Sequence, residues 1–207
     1  MNKHSIKGVV LLSAVSIFLA GCGMSYDVSE NTIFVKKDGT VAETNVMSIS
    51  GLGSSEELEE FIDEEIASYD GPGTVKKEKF SVDGDNVTLT VTYSDGETYS
   101  NFVKHPFYAG SVVKAQAAGY SFDVPFYAAE EKKDDTENSS GAAVSKEMVT
   151  EDPNRRVVIL PMDTNVEVGG KILYYSDNVE LTGKNTAKVT GYEEEGLSKE
   201  PAYIIFQ

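Results

Sequence analysis

The sequence contains no tryptophan, a single cysteine, two histidines and six prolines, and its basic residues are outnumbered by acids, 18 against 34. Each shortage removes something. One cysteine, at position 22, rules out an intramolecular disulfide and any multi-cysteine metal site. Beyond the N-terminal segment the sole histidine is His105, so histidine-rich zinc or copper sites are excluded by count, and a Ser-His-Asp arrangement would have to use His105 as its base. No Gly-x-Ser-x-Gly elbow is present, and no Gly-rich phosphate-cradling motif. A net charge of −16 repels nucleic-acid phosphates and anionic lipid alike, so nucleic acid is not an expected partner. What remains is a composition able to fold, with 40% hydrophobic residues and 11 Tyr and 9 Phe to fill a core.

The first 22 residues hold the most specific pattern. Lys3 and Lys7 make a short positive start, and an almost wholly apolar stretch follows from Val9 to Ala20. That is too short to cross a bilayer, which takes roughly 20 residues, and it suits the apolar segment of a signal peptide. It ends in Leu19-Ala20-Gly21-Cys22, which resembles the lipobox of bacterial lipoproteins. The resemblance implies a diacylglyceryl group on the Cys22 thiol, cleavage between Gly21 and Cys22 by the lipoprotein signal peptidase, and Cys22 as the mature N-terminus. Burial of lipid contributes ~0.8 kcal/mol per CH₂, so two acyl chains hold where one exchanges. Loss of Lys3 and Lys7 takes the mature net charge to about −18. Lysine far exceeds arginine, and the whole looks like surface lipoproteins of Gram-positive bacteria. In a Gram-negative cell, the absence of Asp at position 23 would point to the outer membrane.

The remaining chain divides by composition. Residues 22–30 form a polar tether. Over 31–128 the pattern is that of an α+β domain in the order ββαββαβ, with two helices and a mainly antiparallel sheet. A first hairpin turns at Asp38-Gly39. A helix opens at Ser54 with Glu57 three residues on, a capping-box spacing, and Leu58, Phe61, Ile62, Ile66 and Tyr69 make its apolar face. Val87–Tyr93 alternates apolar residues with threonine and pairs with Lys77–Val82 across Asp83-Gly84-Asp85-Asn86. Ser94 and Glu97 repeat the capping spacing ahead of a short second helix containing Tyr99, Phe102 and Val103, and Ser111–Ala117 reads as a further strand. Residues 129–154 read as an acidic, polar linker. Residues 155–207 read as a small all-β module, with Val157–Leu160 and Tyr203–Phe206 as buried strands, although so short a segment can instead pack on the first module.

Chemistry is sparse. His105, beside Pro106 at a helix end, suits a capping role at the helix dipole. The acids Glu56, Glu57, Glu59, Glu60, Asp63, Glu64 and Glu65 suit a solvated helix face, and Asp83–Asn86 is a turn too short for a calcium loop. Tyr93, Tyr99, Tyr108, Tyr120 and Tyr127, with Phe107, Phe122 and Phe126, serve as core or line a sugar or peptide groove. No catalytic residue, metal site or non-covalent cofactor is assigned. The expectation is a lipid-anchored module facing outside the cytoplasm, not an enzyme, with the membrane and an envelope protein or cell-wall component as partners. The alternatives are a ligand-binding lipoprotein of a transport system and a carboxylate-dependent hydrolase. Cys22→Ala is expected to abolish labelling with palmitate and to release the protein from the membrane fraction; a variant that still labels and stays would refute the lipid assignment.

Overall fold

The computed structural model describes residues 24–51, 53–129, 141–190 and 201–207. The signal segment, Gly21 and Cys22, and residues 130–140 of the expected linker lie outside the described residues.

The chain opens with β1 (Thr32–Val35) and β2 (Val41–Ser48), then α1 (Ser55–Ser68), β3 (Val75–Asp83), β4 (Asn86–Tyr93), α2 (Gly96–Val103) and β5 (Tyr108–Ser111). It continues through α3 (Val112–Ala117), β6 (Phe126–Ala128), β7 (Ala143–Val144), α4 (Lys146–Thr150) and β8 (Arg156–Leu160). The last strands are β9 (Thr164–Val168), β10 (Ile172–Ser176), β11 (Val179–Leu181), β12 (Thr186–Val189) and β13 (Ala202–Phe206). Together they make a mixed α/β fold of two sheets. One has the order β11-β12-β9-β1-β2-β4-β3, the other β5-β8-β13-β10-β6-β7. Among the described pairings all are antiparallel except β1 with β9.

The sheets face each other. Ile33, Val35, Val41 and Val91 of the first meet Val158, Leu160, Ile204 and Phe206 of the second in one apolar cluster. The opposite face of the second sheet presents Val157, Ile159, Tyr203 and Ile205 to Val112 and Ala115 of α3, Val149 of α4, and Phe122 and Phe126. Strands β8 and β13 are therefore covered on both faces, which is why they read as unbroken apolar runs. Fully burying one such side chain contributes about 1.5–3 kcal/mol.

A separate all-β C-terminal module is not what the pairing gives. Strand β9 runs parallel to β1, β8 pairs with β5, and β10 pairs with β6. The reason is coverage: a segment of about fifty residues holding two strands apolar on both faces cannot bury those faces by itself. The expected linker is likewise partly ordered, since residues 143–150 supply β7 and α4, and Val149 is fully buried.

Local signals hold in part. At α1, Glu57 N–H donates to Ser54 Oγ (3.2 Å) and Ser54 N–H to Glu57 Oε2 (3.1 Å), a complete capping box. Ile62, Ile66 and Tyr69 pack on the core, whereas Phe61, one position off that face, is 58% exposed. At α2 the cap is Asp95, whose carboxylate accepts from Thr98 N–H (2.7 Å), and not the Ser94/Glu97 pair. Ser94 is occupied elsewhere: its Oγ accepts from Thr74 N–H (3.1 Å) and bonds Thr98 Oγ1 (2.9 Å). The strand expected over Ser111–Ala117 is a helix, capped by Ser111 accepting from Lys114 N–H (3.2 Å). Val112 and Ala115 are its buried residues, a three-residue period that overrides the strand preference of two consecutive valines. Gly39 turns the first hairpin with φ +100°, a conformation that favours glycine.

The described part of the expected tether lies on the protein itself. Tyr26 packs edge-on against Phe34 (5.0 Å) beneath Lys36 Nζ (5.4 Å), and Asp27 pairs with Lys79 (3.3 Å). Asn165 Nδ2 donates to Glu30 (3.0 Å), and Asn31 Oδ1 accepts from Val46 N–H (2.8 Å).

Because β8, β9, β10 and β13 complete both sheets, a chain ending at residue 154 is expected to lose cooperative unfolding and near-ultraviolet circular dichroism. A sharp thermal transition in that truncated chain would show that residues 31–128 fold alone.

Candidate functional site

A groove of about 860 Å³ opens where α2, β5 and α3 meet the first residue of β8 and the β1–β2 turn. Its floor depends on a glycine. A Cβ on Gly96 would lie 2.9 Å from the Ala109 backbone nitrogen, so only glycine lets the first turn of α2 sit directly on β5. Phe107, buried beneath, packs against Tyr99 with ring centres 4.6 Å apart. On one side stand Tyr108 and Tyr120, their rings tilted at 51° with centres 5.1 Å apart, and Tyr108 Oη donates to the Ser111 carbonyl (3.1 Å). Burial raises both phenols above their ordinary value, while the Arg156 charge pulls Tyr108 the other way.

Charges of both signs line the groove: Asp38, Asp95 and Glu97 against Lys114 and Arg156. Two of the acids are committed to backbone. Asp38 Oδ1 accepts from Thr40 N–H (2.9 Å), and the Thr40 backbone and hydroxyl hold this carboxyl below its ordinary value. Asp95 caps α2 and also accepts from Thr98 Oγ1 (2.8 Å). A general acid needs a carboxyl raised by its surroundings; Asp38 is shifted the opposite way. Arg156 Nε, like Arg155 Nε, is buried and makes no hydrogen bond among the described residues, an unmet donor of a kind that usually costs stability.

The neighbouring Arg155 has a different task. It is buried, lies over the Tyr174 ring at 5.0 Å, and donates through Nη1 to the Met148 carbonyl and to the Val149 carbonyl (3.2 Å). It thereby ties the end of α4 onto the second sheet.

The aromatics singled out in the sequence divide. Phe107, Tyr108 and Tyr120 line the groove. Tyr93, Tyr99, Phe122 and Phe126 are buried core, and Tyr127 packs beside Tyr175 at 5.9 Å. His105 is exposed just beyond α2, whose cap is Lys104 with φ 59°; its carbonyl accepts from Ser100 Oγ (2.6 Å). The acidic face of α1 is tied down where Lys77 meets Glu59 and Asp63, each at 2.7 Å. Asp83–Asn86 is the β3–β4 turn, and no cluster of three or more His, Cys, Asp or Glu suited to a metal occurs among the described residues. Comparison with models of known families, with curated proteins and with solved structures finds no match.

One ionisable group was not picked out from the sequence. Glu43 shares the core-facing phase of β2 with Val41 and sits opposite Ile33 and Val91. Tyr99 Oη donates to its Oε1 (3.1 Å), and Tyr93 lies edge-on to Tyr99 at 5.0 Å. Burial pushes the Glu43 carboxyl above its ordinary value, opposed by hydrogen bonds from Tyr99 and Asn45 and by the His105 charge. Burial also raises the hydroxyls of Tyr93 and Tyr99 far above their usual range, with the Glu43 charge adding. A charged residue in the apolar phase of a strand is a signal that the alternation of Val41, Glu43 and Asn45 does contain.

The raised carboxyl sets a sign. The folded protein holds this proton more tightly than the unfolded chain, so its stabilising contribution is complete below the unfolded value, about 4.3, and is lost as pH rises through the folded one. Glu43→Gln is expected to raise the melting temperature at neutral pH and to flatten the decline in stability from about pH 4.5 upward. Tyr99→Phe is expected to cost about 1–3 kcal/mol at neutral pH by removing the donor to a buried carboxylate. Thermal unfolding across this range checks both; an unchanged pH profile in Glu43→Gln would refute the assignment.

Proposed function

We propose that this protein is a lipid-anchored, non-catalytic binding module on the outer side of a bacterial membrane, and that its groove holds a segment of cell-envelope glycan. The anchoring rests on Leu19-Ala20-Gly21-Cys22 behind a short apolar stretch. The binding role rests on one observation: an open groove of about 860 Å³ that sets the Tyr108–Tyr120 pair beside charges of both signs.

Small-ligand sites bury most of their ligand in a largely apolar cavity. An open, mixed-polarity trough suits a polymer that enters and leaves at its ends. Tyrosine offers an apolar ring face to the C–H face of a sugar and a hydroxyl to its polar edge. The carboxylates and the Lys114 and Arg156 cations match hydroxyl, amide and charged groups along a wall polymer. The transport alternative is weaker, because its expected feature is a deep aromatic pocket between two lobes. The hydrolase alternative is weaker because Asp38 and Asp95 hold backbone.

The mature lipidated protein in detergent is expected to co-sediment with purified insoluble peptidoglycan. Tyr120→Ala and Arg156→Ala are each expected to weaken this about tenfold, a loss of roughly 1.4 kcal/mol. Lys114→Ala, at an exposed position that cannot disturb the core, is expected to weaken it less. Sedimentation unaffected by these changes, or absent in the parent, refutes the glycan reading. A protein adduct formed instead from a photo-crosslinker at Asn101 would replace it with a protein partner, and release of soluble wall fragments would refute a non-catalytic role.

A further inference from the structure

The docked N-terminal segment determines how close the body stands to the site of attachment. Tyr26 is fixed on the outer face of the seven-stranded sheet by Phe34 and Lys36. Only four residue steps separate it from Cys22, and a fully extended chain covers about 14 Å in that distance. The nine residues 22–30 would have spanned about 30 Å had they been free. A lipid on Cys22 is therefore held near this one face, whichever conformation the intervening residues take.

The face itself is suited to headgroups. Alternation against core residues turns Lys76, Lys79 and Lys188 outward together with Thr88 and Thr92. The same alternation turns Glu167 and Glu180 outward beside Asp27, Glu30 and Glu78. Asp27 pairs with Lys79, and Glu30 accepts from Asn165, Glu78 from Thr92 Oγ1 (2.8 Å) and Glu167 from Asn185 Nδ2 (3.2 Å). Helix α1, by contrast, bears seven acids and no base, and it packs through Ile62 and Ile66 on the core side of β3. The groove draws on the other sheet's edge strand and on α2 and α3, with Asp38 its one residue from the seven-stranded sheet's side.

We propose that the outer face of the seven-stranded sheet, crossed by residues 24–31, lies against the phospholipid headgroups, with α1 and the groove directed into the envelope. This rests on the lipidation of Cys22. The face carries threonine and lysine rather than exposed large apolar side chains, so it contacts the headgroup layer without entering the acyl region. A bilayer bearing anionic headgroups repels the seven acids of α1 more strongly than this face, where lysines stand among the acids, so the charges select the same orientation as the attachment.

The test uses the full lipidated chain, purified from membranes and reconstituted in phosphatidylglycerol–phosphatidylcholine vesicles. The thioether consumes the single native thiol, so fluorophores can be placed through Ser81→Cys and Glu180→Cys at the two edges of this face, and through Asn101→Cys and Glu60→Cys in the groove and on α1. All four positions are exposed. A headgroup-borne quencher is expected to quench the first pair several-fold more than the second, and an acyl-chain quencher to quench none of them. A Gly/Ser spacer of about ten residues after Gly23, with a reach of ~17 Å, is expected to remove the difference. Equal quenching at all four positions, or stronger quenching at Asn101 or Glu60, overturns the orientation while leaving the anchor intact. If Cys22→Ala floats with vesicles as the parent does, the anchoring reading fails and the orientation falls with it.

Discussion

The pairing of β8 with β13 is the constraint on which the other elements depend. The five-residue register from Arg156↔Phe206 to Leu160↔Ala202 joins two strands that are apolar on both faces. Neither face can be left to water, so one must be met by the seven-stranded sheet and the other by α3, α4 and Phe122 and Phe126. The layered architecture follows from that double requirement. So does the chain's long-range topology: β1 accepts β9 as a parallel neighbour, and β5 accepts β8, although more than forty residues separate the members of each pair. Such contacts close large loops at an entropic cost that grows slowly with length, which makes them tolerable in stability but slow to form.

The same strand carries the link from core to groove. Arg155 and Arg156 are the only arginines in the sequence, and they are adjacent. Arg155 immediately precedes β8 and Arg156 opens it; one guanidinium is turned inward to the carbonyls ending α4 and the other toward the groove. A planar fork of donors that never loses its charge suits both tasks better than a lysine ammonium. Arg155 donates through Nη1 to carbonyls within the fold and Arg156 lines the groove, while the Nε of each is buried without a hydrogen bond among the described residues.

How far the sequence disclosed this can be judged residue by residue. Local chemistry was legible: Ser54 with Glu57 marks the start of α1, Asp38-Gly39 marks a hairpin, and Val87–Tyr93 marks a half-buried strand. Unbroken apolar runs marked β8 and β13 as buried strands. Their partners were not legible, because an apolar run states that it must be covered and not by what. Ser111–Ala117 misled because two valines outweighed a serine cap whose meaning depends on where Val112 and Ala115 are buried. The groove was half visible through Tyr108 and Tyr120. Its floor was not, since Gly96 matters only once β5 lies 2.9 Å from where its Cβ would be. Residues 24–30 looked like a spacer because they are polar, and nothing local says that Tyr26 finds Phe34 across the hairpin.

Charge placement links the core, the groove and the N-terminal segment. Bases that form ion pairs in the described residues take acids already close in the fold: Lys77 with Glu59 and Asp63, Lys79 with Asp27, Lys146 with Asp123, and Arg155 with Glu151. Exposed pairs of this kind contribute about 0–1 kcal/mol each, so they do little for stability. Their larger effect is on where uncompensated charge is left. Pairing of Asp27 removes an acid from the face nearest the proposed lipid, whereas α1 keeps five acids beyond the two that Lys77 holds. An acidic body on a long, free tether would drift out of reach of anionic headgroups, where repulsion decays over ~8–10 Å. On the proposed anchoring, the docking of residues 24–31 removes that freedom and turns the face beside Tyr26 toward the bilayer. With the lipid on Cys22 as proposed, the polar segment behind it would act less as a spacer than as a hinge pin, the fold's own surface setting which way the groove opens.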